Sequence, residues 1–133
     1  MAKVIFFINI IKSKAYNTGY QIKLRFTVSQ HIHDTQLMKH LMVYLECGKY
    51  YVSEGYDFGD FVVTRFEDIY EKIIPFFKKY PIEGVKALDF SDFCEAAELM
   101  KNKEHLTQEG LEKIKNIKAR MNRNRTFNNK FSQ

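Results

Sequence analysis

The sequence predicts an α+β domain in which one antiparallel sheet is covered on a single face by helices. Three observations predict it. Apolar and polar residues alternate without a miss from Tyr20 to Ser29; a second pair of short β-rich runs follows an intervening helical segment; and the last third of the chain carries apolar residues at helical intervals. The element order is ββαββα followed by further helix.

The first run, Ile5 to Ile11, is β-branched and aromatic, with Phe6, Ile8 and Ile10 on one face and Phe7, Asn9 and Ile11 on the other. Asn17-Thr18-Gly19 supplies turn chemistry before the second run, so the two make a long hairpin. In the second run Tyr20, Ile22, Leu24, Phe26 and Val28 form an apolar face that must pack on something. Gln21, Lys23, Arg25, Thr27 and Ser29 form a polar row spaced about 6–7 Å, twice the rise per residue of a strand. Arg, Lys and Gln donors match base edges in a DNA major groove, which accepts a two-stranded β-ribbon. The same row equally suits the solvated face of an ordinary antiparallel sheet.

Asp34 can cap a helix bearing Leu37, Met38, Leu41, Tyr44 and Leu45, with Gly48 where a C-terminal cap belongs. Tyr50 to Ser53 and Asp60 to Arg65 read as the second strand pair, joined by a connection containing Gly55 and Gly59. Ile69, Ile73, Phe76 and Phe77 predict a helix from near Asp68, which Pro75 should kink or divide because it lacks an N–H. Phe90, Phe93, Ala97 and Met100 predict an amphipathic helix over at least the second half of the stretch from Ile82 to His105. Thr107 then caps a last helix bearing Leu111, Ile114, Ile117 and Met121. Residues 1–122 are thus expected to form one domain and residues 123–133 a basic, Asn-rich, flexible tail.

At 133 residues, with 45% hydrophobic and 15% aromatic residues, the chain can build one core. Its longest apolar run, Val4 to Ile11, is interrupted by Asn9 and falls short of the roughly 18 residues of a membrane span, so no membrane partner is expected. That run lacks a small-residue cleavage site and is read as a strand rather than a signal peptide. Cys47 and Cys94 have neither zinc nor redox spacing, and His31, His33, His40 and His105 add no ligand pattern, so no metal-ligating residue is assigned. The net charge of +5 divides into +5 over residues 1–30, −6 over residues 31–100 and +6 over residues 101–133. Two basic regions around an acidic middle suit a polyanion partner, or simply a solvated surface. Phe, Tyr, Ile, Lys and Asn make up 56 of the 133 residues, the composition of a gene rich in A and T.

Several blocks, in order, resemble the C-terminal repeat of LAGLIDADG homing endonucleases from fungal mitochondrial introns. They are Gly19-Tyr20-Gln21-Ile22-Lys23-Leu24-Arg25-Phe26-Thr27-Val28-Ser29-Gln30-His31, Ile73-Ile74-Pro75-Phe76-Phe77-Lys78-Lys79-Tyr80-Pro81, Gly84-Val85-Lys86 through Asp89-Phe90, and Glu98-Leu99-Met100-Lys101-Asn102-Lys103-Glu104-His105-Leu106-Thr107 with Glu109-Gly110-Leu111. The resemblance implies a saddle, a twisted sheet laid in the major groove of double-stranded DNA with helices behind it. It implies a mitochondrial location, in keeping with the composition. It also implies pairing with a second LAGLIDADG repeat or self-association, and a divalent metal, Mg, that activates water between scissile phosphates.

By the same resemblance, Gln30 helps to position solvent near the cleavage centre and Lys86 lies beside the scissile phosphate, where a cation offsets developing charge. The DNA-reading set implied by phase is Phe7, Asn9, Ile11 and Ser13 on the first strand and Gln21, Lys23, Arg25 and Thr27 on the second, with Ser53, Asp60, Val62 and Thr64 added by the third and fourth. Lys12 and Lys14 near the first turn suit phosphate contacts. The family places a Gly-Phe-x-Asp-x-Glu/Asp-Gly stretch before the first strand, where this sequence has Met1-Ala2-Lys3-Val4, and no acidic residue precedes Asp34. The expectation is a repeat truncated at its N-terminus and catalytically incomplete alone. The alternatives are an intact endonuclease subunit with another metal ligand, or a maturase-like protein that binds intron RNA.

Overall fold

In a computed structural model, the chain is described over residues 3–31, 43–52 and 58–131; for Gln30, His31, Phe58 and residues 122–131 the backbone alone is described. Four strands, β1 (Lys3–Lys12), β2 (Tyr20–His31), β3 (Lys49–Val52) and β4 (Phe58–Val63), form one sheet in the order β1-β2-β4-β3. β4 runs antiparallel to both β2 and β3. After β4 come α1 (Phe66–Asp68), a π-helical turn (Ile69–Ile73), α2 (Ile74–Lys79), α3 (Val85–Lys101), a 3₁₀ turn (Glu104–Leu106) and α4 (Gln108–Phe131). The α+β class and the single antiparallel sheet are as predicted.

The chain divides into two compact units, one of Met1–Phe7 and Leu24–Lys79 and the other of Ile8–Lys23 and Tyr80–Gln133. In the first, Phe6, Phe26 and Phe61 are fully buried. Phe77 of α2 meets Phe6 edge-on at 5.7 Å and Phe26 at 5.4 Å, so the helix packs on the apolar face of the strands. Burying each such ring contributes roughly 1.5–3 kcal/mol, which makes this aromatic group the main anchor of the unit. In the second unit Phe93 and Ala97 of α3 and Leu111, Ile114, Ile117 and Met121 of α4 are buried as their spacing predicts, while Ala96 is buried as well and Phe90 and Met100 are only half-buried.

The hairpin turn uses the residues the sequence offers. The Ser13 amide donates to the Gly19 carbonyl at 2.9 Å, the Thr18 hydroxyl donates to the Tyr20 carbonyl at 3.1 Å, and Gly19 takes φ +84°. Thr107 caps α4 as expected, its hydroxyl accepting the Gly110 amide at 3.0 Å.

Four boundaries differ from expectation. β4 begins at Phe58 and ends at Val63, because Gly59 is not a turn residue: it lies inside the strand, and a side chain there would strike the ring of Tyr50. β3 correspondingly runs Lys49–Val52, and Ser53 falls outside the described residues, as does most of the helix expected after Asp34, of which residues 43–45 are described as helical. The helical stretch begins at Phe66, two residues before Asp68, and it is divided before Pro75 as expected, α2 starting anew at Ile74. A wide turn precedes it, in which the Ile74 amide reaches back to the Ile69 carbonyl, giving room for the proline ring. Finally α4 stays helical to Phe131, beyond the expected end at Asn122.

Candidate nucleic-acid interface

Alternation along the strands sends one set of side chains to the Phe6, Phe26 and Phe61 core and the other to the opposite face. On β2, Ile22, Leu24, Phe26 and Val28 are buried while Lys23 and Arg25 are exposed, so the polar row faces outward as its phase predicts. On β1 the buried residues are Phe6 and Ile8, which leaves Phe7, Asn9 and Ile11 on the outward set.

In the first unit, strand register arranges this face into rows. Ser29 is opposite Asp60 and Asp60 is opposite Tyr51; Thr27 is opposite Val62 and Val62 is opposite Lys49. Directly opposed residues project to the same side. Ile5, Phe7, Arg25, Thr27, Ser29 and Asp60 line an open recess of about 340 Å³. Within it the Ser29 hydroxyl donates to Asp60 Oδ1 at 2.6 Å, the short length of a hydroxyl bonded to a carboxylate.

Two expected readers are set deep on this face. Thr27 and Val62 are each 8% exposed, because they oppose one another on the two central strands and their neighbours shade them. They form floor rather than projecting contacts. Thr64 lies past the end of β4 and is exposed, so it is not a strand residue of this face. Ile5, Lys49 and Tyr51 were not among the expected readers yet stand on this face, and Ser29, expected in the polar row but not named as a reader, stands there too. Ile5, Ser29 and Tyr51 each stand two positions from an expected reader and Lys49 two from Tyr51, but the β3 residues are assigned to this face only by the β3–β4 register.

In the second unit, Lys12, Ser13, Lys14, Gly19 and Tyr20 line a recess of about 470 Å³ at the hairpin end. Ser13 belongs to the turn, one residue beyond β1, and its hydroxyl accepts the Ala15 amide at 3.3 Å. The Lys115 ammonium lies 4.6 Å from the centre of the Tyr20 ring, a cation–π contact. Gln21 is half-buried and Lys23 exposed. Lys86 sits in the first turn of α3 with its ammonium 3.6 Å from Asp89 Oδ2. Gln30 lies near the end of β2, opposite Gly59, within the first unit.

Among the described residues no three of His, Cys, Asp and Glu are grouped to hold a metal ion. The described residues thus offer no such group for a divalent metal, and no chemical step is derived through one. Among them, too, no helix is long and apolar enough to cross a membrane.

Residues 2–97 match the LAGLIDADG endonuclease family. The chain is 44% identical over 101 residues to the probable intron-encoded endonuclease 2 of Neurospora crassa, covering 76% of this chain and 22% of that protein. It is 42% identical over 55 residues to the probable intron-encoded DNA endonuclease aI1 of Mycosarcoma maydis, covering 41% of this chain and 46% of that protein. Among solved structures, the I-SmaMI LAGLIDADG homing endonuclease bound to cleaved DNA superposes with a TM-score of 0.85 at 41% identity, over 92% of this chain and 41% of that one. I-LtrWI bound to its target DNA superposes with a TM-score of 0.84 at 39% identity, over 92% of this chain and 41% of that one. I-SmaMI has also been solved on its uncleaved DNA target in the presence of calcium ions. The chain thus spans about a fifth of the N. crassa relative and about two fifths of the solved ones. With its matched residues, its sheet order and these likenesses taken together, the chain belongs to the LAGLIDADG endonuclease family.

Proposed function

We propose that this chain is one DNA-binding half of a homing endonuclease and reads duplex DNA in the major groove with the outward face of its sheet. The observation that carries the reading is the recess in which Arg25, Asp60 and Ser29 stand beside Ile5 and Phe7. Donor, acceptor and apolar surface stand side by side there, and a major groove presents acceptors, donors and the thymine methyl to such a surface. Lys12 and Lys14 at the hairpin end supply phosphate contacts that set register without reading sequence. I-SmaMI and I-LtrWI, which share this fold, have been solved bound to DNA.

In this reading Gln30 and Lys86 lie toward the cleavage centre, Gln30 orienting solvent and Lys86 facing a scissile phosphate. The second half-site is read by another repeat or by a second copy of the chain. The site of action is the mitochondrion, in line with the intron-encoded relatives from N. crassa and M. maydis and the composition favoured by an A- and T-rich gene.

Selection of the purified chain against a randomised duplex library at about physiological salt, where nonspecific phosphate binding is weakened, tests the proposal. An enriched run of consecutive base pairs is expected. Absence of enrichment, or tighter binding to folded intron RNA than to any selected duplex, would overturn it. Repeating the selected binding reaction with magnesium reads out whether the chain also cuts.

A further inference from the structure

Asp60 puts a negative charge on a face laid against a polyanion. Every phosphate repels a carboxylate, so its presence weakens binding unless a donor on the DNA meets it. We propose that Asp60, oriented by Ser29, accepts a hydrogen bond from the exocyclic amine of a cytosine and so specifies one C·G pair of the target; this rests on the DNA-reading function above.

The major groove offers two amines, N4 of cytosine and N6 of adenine. Adenine sets N7, an acceptor, beside its amine, and N7 repels a second carboxylate oxygen. Cytosine sets an apolar C5–H there instead. The recess suits that second pattern, since Ile5 and Phe7 line it together with Asp60. Guanine and thymine present only acceptors at the corresponding positions, and a carboxylate excludes both.

Ser29 is the positioning residue. Its hydroxyl donates to Asp60 Oδ1 at 2.6 Å across the β2–β4 pair, in which the two residues are directly opposed. That bond occupies Oδ1 and fixes the carboxylate, so that Oδ2 is the oxygen turned to the base. The Asp60 side chain loses its freedom before DNA arrives, which lowers the ordering cost of recognition.

The test compares selections on the randomised duplex library for the wild type and for Asp60→Asn. An amide matches adenine through N6 and N7, so the variant is expected to change one position from C to A and leave the others as they were. Ser29→Ala is expected to keep C at that position with weaker discrimination. A second arm uses the wild-type protein and a selected duplex in which that cytosine is replaced by 2-pyrimidinone, which lacks the amine. Affinity should fall by about 5- to 150-fold, and the same replacement should leave Asp60→Ala unaffected. Three results would overturn the proposal while DNA reading stands: a wild-type motif that Asp60→Asn leaves unchanged, a changed position that was not cytosine, or indifference of the wild type to loss of the amine. Failure of the wild type to enrich any motif would overturn both.

Discussion

Lys86 holds its ammonium 3.6 Å from Asp89 Oδ2, one helical turn further along α3, and Asp89 is 1% exposed while the Lys86 side chain keeps 30% of its surface in solvent. A carboxylate buried to that degree depends on a neighbouring cation, because removal from water penalises its charged form. Lys86 therefore has a structural duty in its own helix whatever else it touches. Lys86→Met should lower unfolding stability by on the order of 1–3 kcal/mol, and Lys86→Arg by clearly less, since it restores the cation. Chemical denaturation measures both. Equal stability of wild type and Lys86→Met would show that the contact carries no weight.

His105 predicts a dependence on pH. Burial pushes its imidazole below the ordinary value of 6.5, and Nδ1 has no hydrogen-bond partner among the described residues. A group whose folded pKa is depressed binds protons more readily in the unfolded chain, so acid favours unfolding. Its contribution is fully present above about pH 6.5, declines as pH falls through that value, and is lost below the folded pKa. Wild type compared with His105→Phe between pH 7.5 and pH 5 should show a steeper loss for the wild type. Parallel curves would mean that His105 is not held neutral by its surroundings.

Gly110 is placed by contact rather than by flexibility. It is the third residue of α4, its amide is held by Thr107, and a methyl group added to it would collide with the Glu104 carbonyl. Two effects of opposite sign compete at this position. Helix propensity favours alanine over glycine by about 1 kcal/mol, whereas overpacking against backbone costs about 1–3 kcal/mol. Because the obstacle is backbone rather than a movable side chain, the second should win and Gly110→Ala should lower the melting temperature. A rise would show that the 3₁₀ turn yields cheaply.

Much of this architecture could be read from residues in sequence. The alternation from Tyr20 to Ser29 is local and unambiguous, and Thr107 announces its cap because a hydroxyl followed by a helical apolar pattern admits few other readings. Gly59 misled, and Pro75 marked a division whose form was not legible, for a common reason. Each is usually punctuation, but here the deciding partner is a neighbour: the Tyr50 ring crossing Gly59, and the π-turn that accommodates Pro75. The deep setting of Thr27 and Val62 was illegible in the same sense, because strand phase tells direction but not how much the flanking strands shade a residue. Lys49 and Tyr51 emerged only when the β3–β4 register was known, since a shift of one residue reverses the face.

Lys12 and Arg25 should separate two components of DNA binding. Lys12 is exposed at the hairpin end with Lys14, where a flexible ammonium meets phosphate as a point charge. Arg25 is exposed in the sheet-face recess, where a planar guanidinium can take both acceptors of a guanine. Lys12→Ala and Lys14→Ala should each weaken binding to all duplexes alike and reduce the logarithmic salt slope by about 1, without altering the selected sequence. Arg25→Ala should instead cost about 1–3 kcal/mol on the preferred site and relax selection at one position. Titration of wild type and variants against selected and scrambled duplexes over a range of KCl concentrations distinguishes the two. If Arg25→Ala weakened both duplexes equally, Arg25 would be a phosphate contact, and base reading would fall to Asp60 and its neighbours in the same recess.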